Sequence, residues 1–533
     1  MRDFHSPGRS PARGTRGMAA TSMPVATLAA LDVLRAGGNA LDAAVAACAV
    51  LGVVEPHSTG IGGDCFCLYA PVGTGRVIAM NGSGKAPGGA SIDWFEGQGI
   101  AALDPLSAHS VTVPGAVRAW EALLAAHGRK GLDELLQPAI RLAEDGHPVH
   151  DRVAADWAQS VEKLAADPDS RTRFLRDGAA PRAGHVFRQP ELAETLRRIA
   201  REGSKGFYEG PAAADMVAKL RSVGGLHTEE DFANASAEFV TPISARWKGH
   251  EIYQCPPNGS GLLVLMLAGM LEDYAPAEAG PMSPERWHRH IEAARLVYRD
   301  RDAFLADPAN VDVPVAKLTN PDYLAALRKV IDPKAAMREM PPAGLAEIMP
   351  VHADTVYLCV VDGEGNACSF INSLFQSFGS GILAPGSGVM LHNRGFGFRL
   401  ERGHPNCIAP GKRPMHTIIP GMLMKDGRAV MPFGVMGGHY QPMGQTSFLS
   451  NVFDYGMDIQ EALDAPRLFP WAGKVQAETG VPSATLDVLA RMGHVPELLD
   501  KPHGGGQAIW IDHEAGALAG ASDPRKDGCA MGY

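Results

Sequence analysis

Asp354-Thr355-Val356-Tyr357-Leu358-Cys359-Val360-Val361-Asp362 is followed by Gly363-Glu364-Gly365-Asn366 and then by Ala367-Cys368-Ser369-Phe370-Ile371-Asn372-Ser373. The run reads as an apolar strand, a polar turn and a second strand. Thr355 stands at the entry of the first strand, and Ser373 ends the second. A hairpin would bring the Ser373 hydroxyl back beside Thr355. By composition alone, a threonine at a strand start is a β-former or a cap. If the chain were cut before it, Thr355 would carry both an alcohol and a free α-amine, a nucleophile together with its own base.

Working outward, the chain is helix-rich before residue 350 and strand-rich just after it. Helices are predicted over Met23–Ala36, Leu41–Val54, Ala116–His127, Leu132–Asp145, Ala154–Leu164, Glu191–Glu202 and Pro211–Val223. Further helices are predicted over Leu262–Leu271, Ser283–Asp302, Ile459–Ala465 and Ala484–Met492. Cys65–Ala70 and Arg76–Asn81 read as strands, and Tyr253–Gly261 as a tight loop. Pro333–Met349, with no clear periodicity, reads as a linker running on to residue 354. The resulting class is α+β, with its elements arranged in layers.

The 533 residues are 45% hydrophobic and 20% charged, and the net charge is -10. That balance fits a soluble globular chain and argues against a nucleic-acid partner, which calls for a basic face. Met1–Arg16 lacks the apolar core of a secretion signal, and no apolar run is long enough to span a membrane. A cytoplasmic location without a membrane partner is the expectation. Eight cysteines are too sparse for a disulfide scaffold, and Cys65-Phe66-Cys67 lacks metal-ligand spacing.

Two tempting motifs fail. Asn81-Gly82-Ser83-Gly84-Lys85-Ala86 invites a phosphate-loop reading, but Ala79 takes the first glycine position and Ala86 replaces the hydroxyl that would meet magnesium. His288, His290 and Glu292 are spaced by two, which puts neighbours on different helix faces, so no metal site is read there. Gly437-Gly438, after the apolar run Pro432–Met436, is a turn by default. Consecutive glycines also let backbone N–H groups approach an oxyanion closely.

Ordered stretches along nearly the whole chain resemble the γ-glutamyltranspeptidase family. They are Gly37–Ala44, Glu55–Asp64, Val113-Pro114-Gly115, Thr355 ahead of Val360-Val361-Asp362, and Gly365-Asn366-Ala367. They continue with Phe378–Gly381, Gly437-Gly438, Ala465-Pro466-Arg467 and Gly520–Arg525. The resemblance implies a four-layer αββα sandwich and a proenzyme that cuts itself before the threonine. Here that bond is Asp354–Thr355. It divides a large piece, 1–354, from a small catalytic piece, 355–533, which stay intertwined; a higher oligomer is left open. It also implies Thr355 as nucleophile, Ser373 as its supporting hydroxyl and Gly437 and Gly438 as oxyanion donors, with no cofactor. The substrate would be a small-molecule amide, and the acyl-enzyme would be resolved by water or an amine.

The chain departs from the family where the γ-glutamyl group is clamped. An arginine, an asparagine, an acid and paired serines are replaced by Ser83, Phe375, Gly397 and His416-Thr417. Arg394, Asn393, His416 and Thr417 are the candidate substrate-binding residues, and Lys412-Arg413 offers further cations. The stretch 372–381 is similar to a divergent branch that includes an oxamate amidohydrolase and glutaryl-cephalosporin-type acylases. Those act on carboxylated amides that lack the glutamyl amine. Three readings follow: a γ-glutamyltransferase-like enzyme active in glutathione metabolism, an amidohydrolase of the oxamate or glutaryl type, or a scaffold that keeps the fold without catalysis.

Overall fold

The computed structural model describes residues 8–340 and 354–533. In chain order the main strands are β1 (Ala12–Gly14), β2 (Met18–Thr21), β3 (Asp64–Ala70), β4 (Ile78–Gly82), β5 (Glu238–Val240), β6 (Ile243–Trp247) and β7 (His250–Gln254). After these come β8 (Asp354–Val361), β9 (Ala367–Phe375), β10 (Gly421–Lys425), β11 (Arg428–Met436), β12 (Gly505–Asp512), β13 (Ala517–Ser522) and β14 (Cys529–Gly532). They build two seven-stranded sheets, ordered β1-β13-β12-β11-β10-β7-β6 and β14-β2-β8-β9-β3-β4-β5. Each sheet draws strands from both sides of Thr355, so the two pieces are intertwined rather than arranged as a helical half and a strand half.

Strand alternation sorts the core into layers. Along β8, Val356, Leu358 and Val360 pack with the helices Pro24–Arg35, Ala40–Val54 and Ala116–His127 on the outer face. Tyr357, Cys359 and Val361 face the other sheet, where they meet Met422, Met436 and Ile509. The far side of that second sheet is covered by Gly261–Leu271, Gln441–Phe453 and Ile459–Asp464 through Leu265, Phe448, Leu449 and Ile459. This is the αββα sandwich. The period of two explains it: central strands such as β3 and β9 are buried along their whole length because both faces are covered, while the edge strands β1, β5 and β6 carry exposed residues. Each buried aliphatic chain contributes roughly 1.5–3 kcal/mol.

The helix Ala40–Val54 shows how the matching stretches act locally. The Asn39 side chain accepts from the amides of Leu41 and Asp42, and Asp42 answers to the Asn39 amide at 2.8 Å. Asp362, in the turn after β8, accepts from the Ala40 amide at 2.9 Å. Its other oxygen holds the amides of Glu364, Gly365 and Asn366. One carboxylate therefore closes the β8–β9 turn and caps the helix packed against it.

Several boundaries differ from expectation. The predicted helix 132–145 breaks at Leu136 into Leu132–Leu135 and Gln137–Asp145, with Pro138 opening the second. The predicted helix 154–164 is two helices, Asp151–Ala158 and Val161–Ala166. Tyr253 and Gln254 belong to β7 rather than to a loop. Residues 341–353 of the expected linker lie outside the described residues. Among the described residues, no helix is long and apolar enough to cross a membrane.

Candidate active site

The hairpin brings its two hydroxyls together. Cys359 pairs with Ser369 and Val356 with Asn372, and the register shifts between Asp354 and Val356. Thr355 Oγ1 and Ser373 Oγ then lie 3.0 Å apart, with both residues buried. Ser373 Oγ also accepts from the Phe375 amide at 2.8 Å. Behind Ser373 runs the glycine-rich stretch 60–63: a Cβ on Gly63 would stand 2.3 Å from the Ser373 carbonyl oxygen, so only glycine fits there. Phe375 itself is held at φ +78°, a left-handed conformation that costs a bulky residue on the order of 1–3 kcal/mol.

The glycine pair reaches the same end of the sandwich. Ser369 Oγ donates to the Phe433 carbonyl at 3.5 Å, and the Tyr357 ring packs directly on Gly434. Going from Phe433 to Gly434 along β11 thus matches going from Cys359 back to Tyr357 along β8. The C-terminal end of β11 therefore points toward Thr355. There Gly437 and Gly438 adopt φ +117° and +56° and open a short 3-10 turn, Gly438–Tyr440, ahead of the helix Gln441–Phe453. Both conformations favour glycine, and they turn two successive peptide units over.

Beside this centre sits a buried cation. Arg394 is fully buried in the short turn Arg394–Gly397. Its Nη1 donates to Thr417 Oγ1 at 2.8 Å, and its guanidinium lies 3.9 Å from the centre of the Phe375 ring. Nε and Nη2 have no hydrogen-bond partner among the described residues. Burial pushes the Arg394 pKa down to about 9, and the nearby Asp64 carboxylate opposes that shift.

Asp64 is the pocket's fixed negative charge. Its Oδ1 accepts from the amides of Gly84 and Gly115 at 2.9 and 3.2 Å, and its Oδ2 accepts from His416 Nε2 at 3.0 Å. Burial raises its pKa, but His392, His416 and Arg394 outweigh that, and the carboxyl stays below its usual range. His416 Nδ1 accepts from the Ile418 amide, so the proton lies on Nε2. Burial, with Arg394 adding to it, pushes the His416 pKa down to about 3. Asn393 is occupied as well: Nδ2 donates to Gln376 Oε1 and to the Pro105 carbonyl, and Oδ1 accepts from the Gln376 amide. Of the four predicted binding residues, Arg394 alone presents side-chain nitrogens without a hydrogen-bond partner among the described residues. Asn393, His416 and Thr417 brace it or its surroundings.

The departures from the family are built into the packing. Ser83 Oγ accepts from Asn258 Nδ2 at 3.0 Å. A Cβ on Gly397 would stand 2.9 Å from the Met415 carbonyl oxygen, so an acid there would require the backbone to shift. Lys412 Nζ donates to the carbonyls of Pro405 and Cys407. Arg413 bonds the Ser83 carbonyl and Glu238. His288, from the rejected metal motif, is hydrogen-bonded to His494 at 2.8 Å and to the Asp332 carbonyl. Among the described residues, no group of three or more His, Cys, Asp or Glu could hold a metal ion. Sequence reasoning did not single out Asp64 or His439. The available signals were a charge opening the otherwise apolar strand β3, and a histidine directly after the glycine pair.

A threonine at a strand entry, a hydroxyl partner on the next strand and a glycine turn converging on it, all within an αββα sandwich, define the class of N-terminal-nucleophile hydrolases. The γ-glutamyltranspeptidase profile matches residues 26–533. The chain is 37% identical to a glutathione hydrolase-like YwrD proenzyme of Bacillus subtilis, over 97% of this chain and 99% of that one. It is 36% identical to an oxamate amidohydrolase proenzyme of Klebsiella pneumoniae, with the same coverage of each. The crystal structure of a cephalosporin acylase from Bacillus halodurans superposes with a TM-score of 0.93 at 37% identity, covering 100% of this chain and 99% of that one. The chain belongs to the γ-glutamyltranspeptidase family, as a hydrolase of the glutathione hydrolase and acylase type.

Proposed function

We propose that the chain cleaves itself at Asp354–Thr355 and that the mature enzyme hydrolyses amides of carboxylated acyl groups that lack the glutamyl α-amine. The oxamate or glutaryl type is the expected class. The observation that carries this reading is Arg394, fully buried with Nε and Nη2 unpartnered among the described residues. A planar fork with two adjacent free donors suits a carboxylate. An ammonium would have to share Asp64, whose oxygens already accept from the Gly84 and Gly115 amides and from His416. The names of the oxamate amidohydrolase and cephalosporin acylase relatives support the same choice.

In the precursor, Thr355 Oγ attacks the Asp354 carbonyl carbon, the peptide C–N bond breaks, and the acyl group moves to oxygen. Water then hydrolyses this ester, leaving the Asp354 carboxylate and a free Thr355 α-amine. An α-amine with a pKa of roughly 7.7–8.0 is matched to accepting the hydroxyl proton near neutrality. Thr355 Oγ then adds to the substrate carbonyl, and the amides of Gly437 and Gly438 take the oxyanion. The C–N bond breaks as the leaving amine collects the proton. Water hydrolyses the acyl-threonine and regenerates the enzyme.

The test is a denaturing gel of purified wild type and Thr355→Ala, followed by a panel of glutaryl, oxamate and γ-glutamyl amides. The expected result is two fragments for wild type, one band for T355A, and faster turnover of the amides without an amine. An uncut wild type, or cutting that persists in T355A, refutes self-processing. A clear preference for the γ-glutamyl amide refutes the substrate class.

A further inference from the structure

His439 follows the glycine pair directly. Its ring is buried at 3% exposure and stacks on Trp471, with ring centres 4.8 Å apart and planes 18° from parallel. Nδ1 lies 2.9 Å from Arg301 Nη1. An arginine can only donate, so Nδ1 must be the lone pair and the proton must sit on Nε2. Arg301 is itself held, with its Nε donating to Asp302 Oδ1 at 2.7 Å. The His439 carbonyl accepts from the Tyr298 hydroxyl. Ring plane, tautomer and backbone are therefore all fixed. Nε2 nevertheless has no hydrogen-bond partner among the described residues.

A buried donor without a partner calls for an explanation. Burial, together with the nearby positive charges of Arg301 and Arg394, holds this imidazole in its neutral form. A neutral imidazole with its proton fixed is a hydrogen-bond donor to oxygen, not a base or a strong acid.

We infer that His439 is a second specificity-determining donor of the acyl pocket, its Nε2–H taking an oxygen of the carboxylated acyl group held by Arg394. This rests on the substrate class proposed above and adds to it. Three donor nitrogens without a partner among the described residues, Nε and Nη2 of Arg394 and Nε2 of His439, make the pocket read for acceptor oxygens. A dicarboxylic monoamide has such oxygens at both ends.

The test compares glutaryl-p-nitroanilide with valeryl-p-nitroanilide, which has a methyl in place of the carboxylate, on processed wild type, H439F, H439N and H439Q. Phenylalanine keeps the stack on Trp471 without a donor, asparagine is too short, and glutamine returns an N–H at the reach of Nε2. The glutaryl-to-valeryl ratio of kcat/KM should fall roughly tenfold in H439F and H439N, mainly through KM for the glutaryl substrate, and recover in H439Q. An unchanged ratio, an equal loss on both substrates, or no recovery in H439Q overturns the inference. Wild type without a preference for the glutaryl anilide refutes instead the substrate class, and this inference with it. If H439F fails to process, H439N against H439Q decides alone.

Discussion

Replacing Arg394 by methionine tests the substrate class most directly. The side chain keeps an unbranched apolar stem and loses the guanidinium, with its charge and both free donor atoms. A charge-assisted hydrogen bond is worth about 1.5–3 kcal/mol, and Nε and Nη2 offer two. At the low end of that range the pair contributes about 3 kcal/mol, which is roughly a hundredfold in kcat/KM. For glutaryl-p-nitroanilide that loss should appear chiefly as a raised KM. Arg394 is completely buried, bonds the Thr417 hydroxyl, lies on the Phe375 ring and is near the Asp64 carboxylate. Its loss removes those contacts and leaves Asp64 with one fewer positive neighbour, so a fall in thermal stability accompanies the kinetic loss. Self-cleavage should persist, because Arg394 makes no hydrogen bond to Thr355 or Ser373. Unchanged kcat/KM for the carboxylated substrate, or an equal loss on valeryl-p-nitroanilide, would show that Arg394 is a structural cation rather than a substrate anchor.

Two further outcomes follow. Gly437→Ala should lower kcat by about 10²–10³, the cost of losing one oxyanion donor. Its φ of +117° and the Gly504 Cα 2.9 Å from the new Cβ would shift that peptide. Normal single-turnover acylation in the processed variant would refute the assignment. Stability should also decline on the acid side. His227 is fully buried and its pKa is pushed down to about 4 by burial, with Nε2 donating to the Val111 carbonyl. In the unfolded chain it titrates near 6.5. Between those values the unfolded state binds more protons, so the stability is present above pH ~6.5 and is lost as pH falls toward 4. Urea midpoints measured across that window should fall, and His227→Gln should flatten the slope. An equally steep slope in the variant would remove His227 from the account.

The sequence by itself went far with local chemistry. The β8–β9 hairpin, its hydroxyl pair and the long helices were legible because they depend on residues close together in the chain, through alternation, turn residues and caps. Strands β1, β2, β5, β6 and β7 were not read. All are short. β1, β2 and β5 pair with distant segments, β1 with β13, β2 with β8 and β14, and β5 with β4, and distant pairing leaves little trace in a local window. β6 and β7, by contrast, form a local hairpin across Lys248-Gly249 that was missed although both strands are close in the chain. The same division runs through the site. Thr355, Ser373, Gly437 and Gly438 could be named from motifs. The part played by each candidate around Arg394 could not. Asn393 and His416 look like ligand-binding residues in sequence, yet tertiary packing engages their polar atoms with Gln376, Pro105, Asp64 and Ile418. Arg394 and His439 differ from them only in having buried donors left over. A residue type states what a side chain can donate or accept. Which of those groups remains for a substrate is decided by distant segments meeting in space, and here β3, the turn at 394–397 and the end of β11 decide it.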